Sequence, residues 1–203
     1  VARIENGIVM LKLIVIIIFI AVGATAIHPD NYVPFIPAHK AGTHFGGLTG
    51  ILAGASQIFI AYVGFDAIAA NTAETINPQK TMPKGLLGTL FLGTGFFVLV
   101  SLVLVGMFKY SIYAGNAEPA AFALRKAGHY FTANLLSLVA IIGIFSALIG
   151  ILLASSRLIY SFGRDGLLSP KLGKINTKHV PKNALWSISL GALILASFFP
   201  FDL

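Results

Sequence analysis

Cysteine is absent from all 203 residues, which excludes disulfides and thiolate metal or redox sites. Charge is scarce as well: only 10% of the residues are Asp, Glu, Lys or Arg, against about 25% in soluble domains. With 57% hydrophobic residues gathered into long runs, the composition is that of an integral membrane protein. The charge that remains is lopsided, 14 basic to 7 acidic residues, a net +7. Those basic residues interrupt or flank apolar runs instead of forming a basic face, so they point to a lipid bilayer and not to nucleic acid. His28, His39, His44, His129 and His179 lie outside the apolar runs without ligand-like pairing, and no metal site is expected. No cofactor or enzymatic arrangement is expected either. Ser155 and Ser156 have no nearby His or Lys base, no glycine-rich phosphate loop precedes a helix, and no His-Glu-x-x-His pattern occurs.

What is there is a series of about five apolar spans, near residues 8–26, 50–73, 85–107, 134–156 and 184–200, within a single membrane domain covering 1–203. The fold class is all-α, a polytopic helical membrane protein. Between the first two spans, Pro29, Pro34 and Pro37 suit an extended surface segment leading to Gly42, Gly46 and Gly47. Pro78 and Pro83 are expected to stop the second helix, and Pro119 to open a short surface helix over 119–126. Thr89 and Gly93 in the third span, and Gly143, Ala147, Gly150 and Ala154 in the fourth, have the spacing of helix-packing seams. Lysine and arginine crowd the chain's start, the loop near Asn77 and the loop over 157–182, which places those on the cytoplasmic side. The chain opens Val1-Ala2-Arg3-Ile4, with no initiator methionine and no charged-then-apolar signal pattern, and is read as a piece of a longer protein.

The second span carries the most information. Its apolar run, near 51–73, is long enough to cross the bilayer, yet at its middle stand Gly64, Phe65 and Asp66. Glycine permits backbone outside the helical region, and Asp66 is a suitable N-cap for a second half-helix. Backbone groups freed by such a break are tolerated at membrane depth only where they line a cavity or a ligand site. Half-helix N-termini favour a carboxylate and exposed carbonyls an ammonium, so the break suits a zwitterion such as an amino acid. Phe59, Tyr62 and Phe65 add aromatic surface beside it.

Three stretches place the chain further: residues 60–67 (Ile-Ala-Tyr-Val-Gly-Phe-Asp-Ala), residues 73–85 (Ala-Glu-Thr-Ile-Asn-Pro-Gln-Lys-Thr-Met-Pro-Lys-Gly) and residues 161–168 (Ser-Phe-Gly-Arg-Asp-Gly-Leu-Leu). Together they resemble the bacterial amino-acid permeases of the amino acid-polyamine-organocation superfamily, in the branch that includes the cationic amino-acid transporters. The resemblance implies part of a LeuT-like inverted-repeat fold with one discontinuous helix. The chain then matches the fifth helix of the first repeat and the first four of the second, and the partner broken helix lies in the missing remainder of the same chain. The implied function is secondary active transport of amino acids across the bacterial cytoplasmic membrane by proton-coupled symport. The alternative is a non-transporting membrane subunit or a truncated permease remnant. Phe59, Ile60, Ala61, Tyr62, Gly64 and Phe65 are the expected substrate-binding residues, with Asp66 capping the break.

Lys12 is the basic residue that falls within a span, about five residues from its start. At 1.5 Å per residue it lies within roughly 8 Å of the surface, so its stem can snorkel. A lysine at membrane depth also marks pathways and relays. The resemblance implies the second role, because proton-coupled members carry a lysine in the matching helix where sodium-coupled relatives hold a sodium ion. Ser146, in the small-residue stretch of the fourth span, is its expected partner in proton coupling.

Overall fold

The computed structural model describes residues 2–62, 64, 77–176 and 180–198. Among them there are six α-helices and no strand: α1 (Ala2–Ala24), α2 (Gly47–Phe59), α3 (Pro78–Met107), α4 (Pro119–Lys126), α5 (Tyr130–Arg164) and α6 (Lys182–Phe198). The stretch Asn6–Ala24 of α1, together with α3 and α5, is long and apolar enough to cross a membrane, while α2 and α6 are shorter apolar helices. At 1.5 Å per residue α3 and α5 run to about 45 and 52 Å, longer than a hydrocarbon core of about 30 Å, so tilt or projection into the headgroups follows. Their sides are apolar all round and mostly exposed; Phe91 is 77% and Phe145 65% exposed. That is the dress of helices whose solvent is lipid or other helices.

The chain divides into two compact units, residues 1–63 with 87–146, and residues 64–86 with 147–203. In the first, the core gathers Phe19 of α1, Val103 and Met107 of α3, Ala121, Ala123 and Leu124 of α4, and Ala133 of α5. Glycine makes the close approach possible: a Cβ on Gly23 would run into Val103 Cγ1 and stand 3.1 Å from Met107 Sδ, and one on Gly106 would run into the Tyr32 hydroxyl. The last turn of α3 leaves carbonyls without intrahelical partners, and the flanking loops supply donors. The backbone N–H of His28 donates to Gly106 O at 2.9 Å. Asn31 Nδ2 donates to Gly106 O and Met107 O at 2.8 and 3.1 Å. The Tyr113 hydroxyl donates at 2.6 Å to Leu104 O, which also accepts from Phe108 N–H at 3.3 Å, and before the last turn the Tyr32 hydroxyl donates to Leu102 O at 2.8 Å. Burial pushes the Tyr113 phenol up to about 12, so it remains a donor throughout the neutral range. Where an extended segment was expected, residues Pro29–Tyr32 form a 3-10 turn, because that turn brings Asn31 and Tyr32 to the α3 carbonyls.

The short helix expected over 119–126 forms, and its Ala121, Ala123 and Leu124 are buried, so one face of it closes the core. The second unit has its own tie. A Cβ on Gly163 would stand 2.9 Å from the Leu172 carbonyl carbon, and one on Gly173 would stand 2.7 Å from the Arg164 nitrogen, so the loop after α5 lies directly on that helix. Gly166, at φ +80°, ends α5 in left-handed backbone, and Leu167 N–H donates back to Phe162 O at 3.0 Å. This is the hydrogen-bond pattern of a glycine helix stop, and it accounts for the Gly-Arg-Asp-Gly stretch.

Two sequence expectations change here. Pro78 and Pro83 lie inside the start of α3, so that helix begins before the span expected at 85–107; residues 65–76, where the second helix was expected to stop, lie outside the described residues. Pro78 occupies the first helical position, where no intrahelical N–H bond is lost, while Asn77, at φ +53°, accepts from Lys80 N–H at 3.0 Å and Thr81 N–H at 3.1 Å. The packing seams are also narrower than their spacing suggested. Gly143 is buried, but Ala147 is exposed and a Cβ on Gly93 or Gly150 would meet nothing within 4 Å.

Candidate functional site: an interrupted helix

α2 begins where Gly46 and Gly47, at φ +77° and +59°, turn the chain, with Gly47 N–H donating to Pro37 O at 2.9 Å. It proceeds as regular helix for 13 residues and stops at Phe59. Residues Ile60–Tyr62 tighten into a 3-10 turn, and Gly64 stands at φ +112°. α2 therefore ends inside the apolar run, and the departure from α-helix begins one turn before Gly64; the expected second half-helix falls on residues 65–76, outside the described residues. A 3-10 turn is a usual way for a helix to end. The backbone of Gly64 completes the exit in a region that residues with a Cβ rarely adopt.

Of the expected site residues, Phe59 ends α2 with 69% of its surface exposed, and Ala61 is exposed beside it. Ile60 lies within the 3-10 turn. Tyr62 is half-buried: its hydroxyl shares a 2.8 Å hydrogen bond with Thr94 Oγ1 of α3, and its ring meets Phe97 edge-on at 5.3 Å between centroids. Phe65 and Asp66, the proposed cap, lie outside the described residues.

Lys12 is half-buried on α1. Its stem lies against α5 at Gly143, where a Cβ would stand 3.0 Å from Lys12 Cδ. Ser146, 8% exposed, is three residues further along α5 and on the same buried face as Gly143. Sequence spacing had marked Gly143 only as a packing residue, and it had missed Thr94 and Phe97 altogether. A hydroxyl in the middle of an apolar span was the available signal, since such groups bond across helices. Among the described residues no three His, Cys, Asp or Glu side chains come together as a metal site.

An interrupted helix with an exposed aromatic at its end, held against a second apolar helix, is what the comparisons with known proteins illuminate. Residues 1–202 match the family described as Amino acid permease. The chain belongs to that family. This permease chain is 51% identical over 199 residues to the branched-chain amino acid permease BcaP of Lactococcus lactis, covering 98% of the chain and 43% of the relative. It is 36% identical over 197 residues to the methylthioribose transporter of Bacillus subtilis, covering 97% and 41%. Cationic amino acid transporter 9 of Arabidopsis thaliana, a chloroplastic protein, is 35% identical over 165 residues, covering 81% and 27%. The permease chain thus spans less than half the length of these curated relatives. Family and apolar helices together make it a helical membrane protein.

Proposed function

We propose that this chain forms part of a secondary transporter of amino acids in the bacterial cytoplasmic membrane, working by proton-coupled symport with the rest of a longer permease. The observation that carries the reading is the end of α2 at Phe59, with Phe59 exposed, followed by a 3-10 turn and by Gly64 at φ +112°; a helix end leaves backbone groups outside its own ladder. Such groups in an apolar span match the two ends of a zwitterion. The 51% identical relative is named for branched-chain amino acids, and the apolar surfaces of Phe59 and Ala61 agree with an aliphatic side chain.

The test is uptake of labelled leucine by proteoliposomes holding the longer permease, with arginine and methylthioribose as competitors. Leucine accumulation driven by an inward proton gradient, blocked by isoleucine and not by the other two, is the expected result. Absence of accumulation of any amino acid would leave a non-transporting membrane subunit in its place. Orientation gives a separate prediction, following the placement of the Lys171 and Lys174 loop inside. Single cysteines at Ser169 and Asn116 should react with an impermeant thiol reagent from opposite faces of the membrane. Labelling from the same face would overturn the assigned topology.

A further inference from the structure

We infer that Thr94 and Phe97 of α3 are positioning residues that latch the interrupted segment through Tyr62. The inference rests on the reading of that segment as the substrate site. A 3-10 turn at the end of a helix has lost its hydrogen-bond ladder on one side, so something outside the turn must fix where it points. Tyr62, the last residue of the turn, is gripped twice: its hydroxyl is 2.8 Å from Thr94 Oγ1, and its ring is set at 86° to that of Phe97. Thr94 and Phe97 are three residues apart on α3 and therefore share one face.

The local sequence suits a latch. Gly93 and Gly95 flank Thr94, and among the described residues a Cβ on either would meet nothing within 4 Å, so the tyrosine ring reaches a strip of helix without neighbouring side chains of its own. A helical threonine can also satisfy its hydroxyl on a carbonyl of its own preceding turn; here it has a cross-helix partner instead. Two consequences follow. The Tyr62 phenol is occupied, so what this residue offers a substrate is ring surface, which suits an apolar side chain. And the turn is tied to α3, so a displacement of α3 during transport carries the turn with it.

The experiment uses the longer permease in proteoliposomes, with leucine as the probe. Thr94→Val keeps the shape and removes the hydroxyl; it should raise KM about five-fold with little change in maximal rate, the size expected for one neutral hydrogen bond. Thr94→Ser should return KM to within about two-fold of wild type, because the hydroxyl is restored. Tyr62→Phe should raise KM similarly, and the double variant should be no worse than either single one, since both remove the same bond. Phe97→Leu, which keeps α3 apolar, provides an independent arm should Thr94→Val fail to fold, and it too should raise KM. An unchanged KM in Thr94→Val and Phe97→Leu, or additive effects in the double variant, overturns the latch. A second readout needs no transport: the alkylation rate of a cysteine at Ala61 should rise several-fold when Thr94 becomes Val. If the wild-type protein moves no amino acid, the function proposed above fails, and this rate alone decides the latch, an unchanged rate refuting it.

Discussion

Gly64→Ala in the longer permease should reduce leucine uptake at least about ten-fold, and Gly64→Leu should do no less, while Gly88→Ala leaves uptake near wild type. The reasoning separates two ways in which glycines matter. Among the described residues a Cβ on Gly64 would meet nothing within 4 Å, so its backbone is what alanine tests. Its φ of +112° is the whole cost, because a residue with a Cβ held there is strained by roughly 1–3 kcal/mol. The chain can relieve that strain by shifting towards helical backbone, which closes the interruption. If the open form is the one that binds, the population lost appears directly as lost apparent affinity. Gly88 also faces open space, but it lies within the regular helix α3, where alanine is favoured over glycine by roughly 0.5–1 kcal/mol. The same substitution thus has opposite signs at two uncrowded glycines. Alanine being well tolerated at Gly64 would mean that the positive φ is not needed for binding, and the interruption would lose its role as the site.

How much of this was legible in the sequence varies from residue to residue. The apolar runs announced the long helices because hydropathy over 20 residues is a strong signal, and the positive backbone at Gly64 followed from a glycine in the middle of such a run. The onset of the break at Phe59 was not readable. No residue from Phe59 to Tyr62 disfavours helix; the turn is held from outside, by Thr94 and Phe97, which are more than 30 residues away in the chain. Pro78 and Pro83 left the early start of α3 hidden for a related reason. Proline signals a boundary, but the same residue serves the stop of one helix and the start of the next. The packing glycines show the same limit. Spacing picked Gly93 and Gly150, which face open space, and passed over Gly23 and Gly106, where Val103 and Tyr32 make the contact. Periodicity reports which residues share a face, whereas only the neighbouring helix decides which face is used. The Asn31 and Tyr32 clasp on α3 was hidden too, since a polar loop residue gives no hint of the helix end it will cap.

Lys12→Ala should leave the permease inserted and folded but flatten the dependence of uptake on pH. A snorkelling lysine packs its stem on apolar surface and keeps its head in water, and its removal would leave the pH response of uptake unchanged. In the structure the stem runs against α5 at Gly143, half-buried, with a Cβ position there only 3.0 Å from Lys12 Cδ. Ser146, one turn further on the same face, is buried and polar. A lysine committed to a helix face at membrane depth is costly unless the position does something that alanine cannot. We propose that Lys12, with Ser146, takes part in proton coupling by ordering the contact between α1 and α5 during transport. Gly143→Ala is the graded companion. It presses on the Lys12 stem without removing the charge, and because the pressed atom belongs to a flexible chain, the protein should tolerate it. The expected result is lower uptake with the pH dependence retained. Proteoliposomes with an imposed pH gradient and internal pH varied stepwise would measure both variants, alongside the amount of protein recovered in the membrane. Unchanged response to the gradient in Lys12→Ala, or uptake that requires sodium in the wild type, would show that Lys12 is a packing residue and that coupling resides elsewhere.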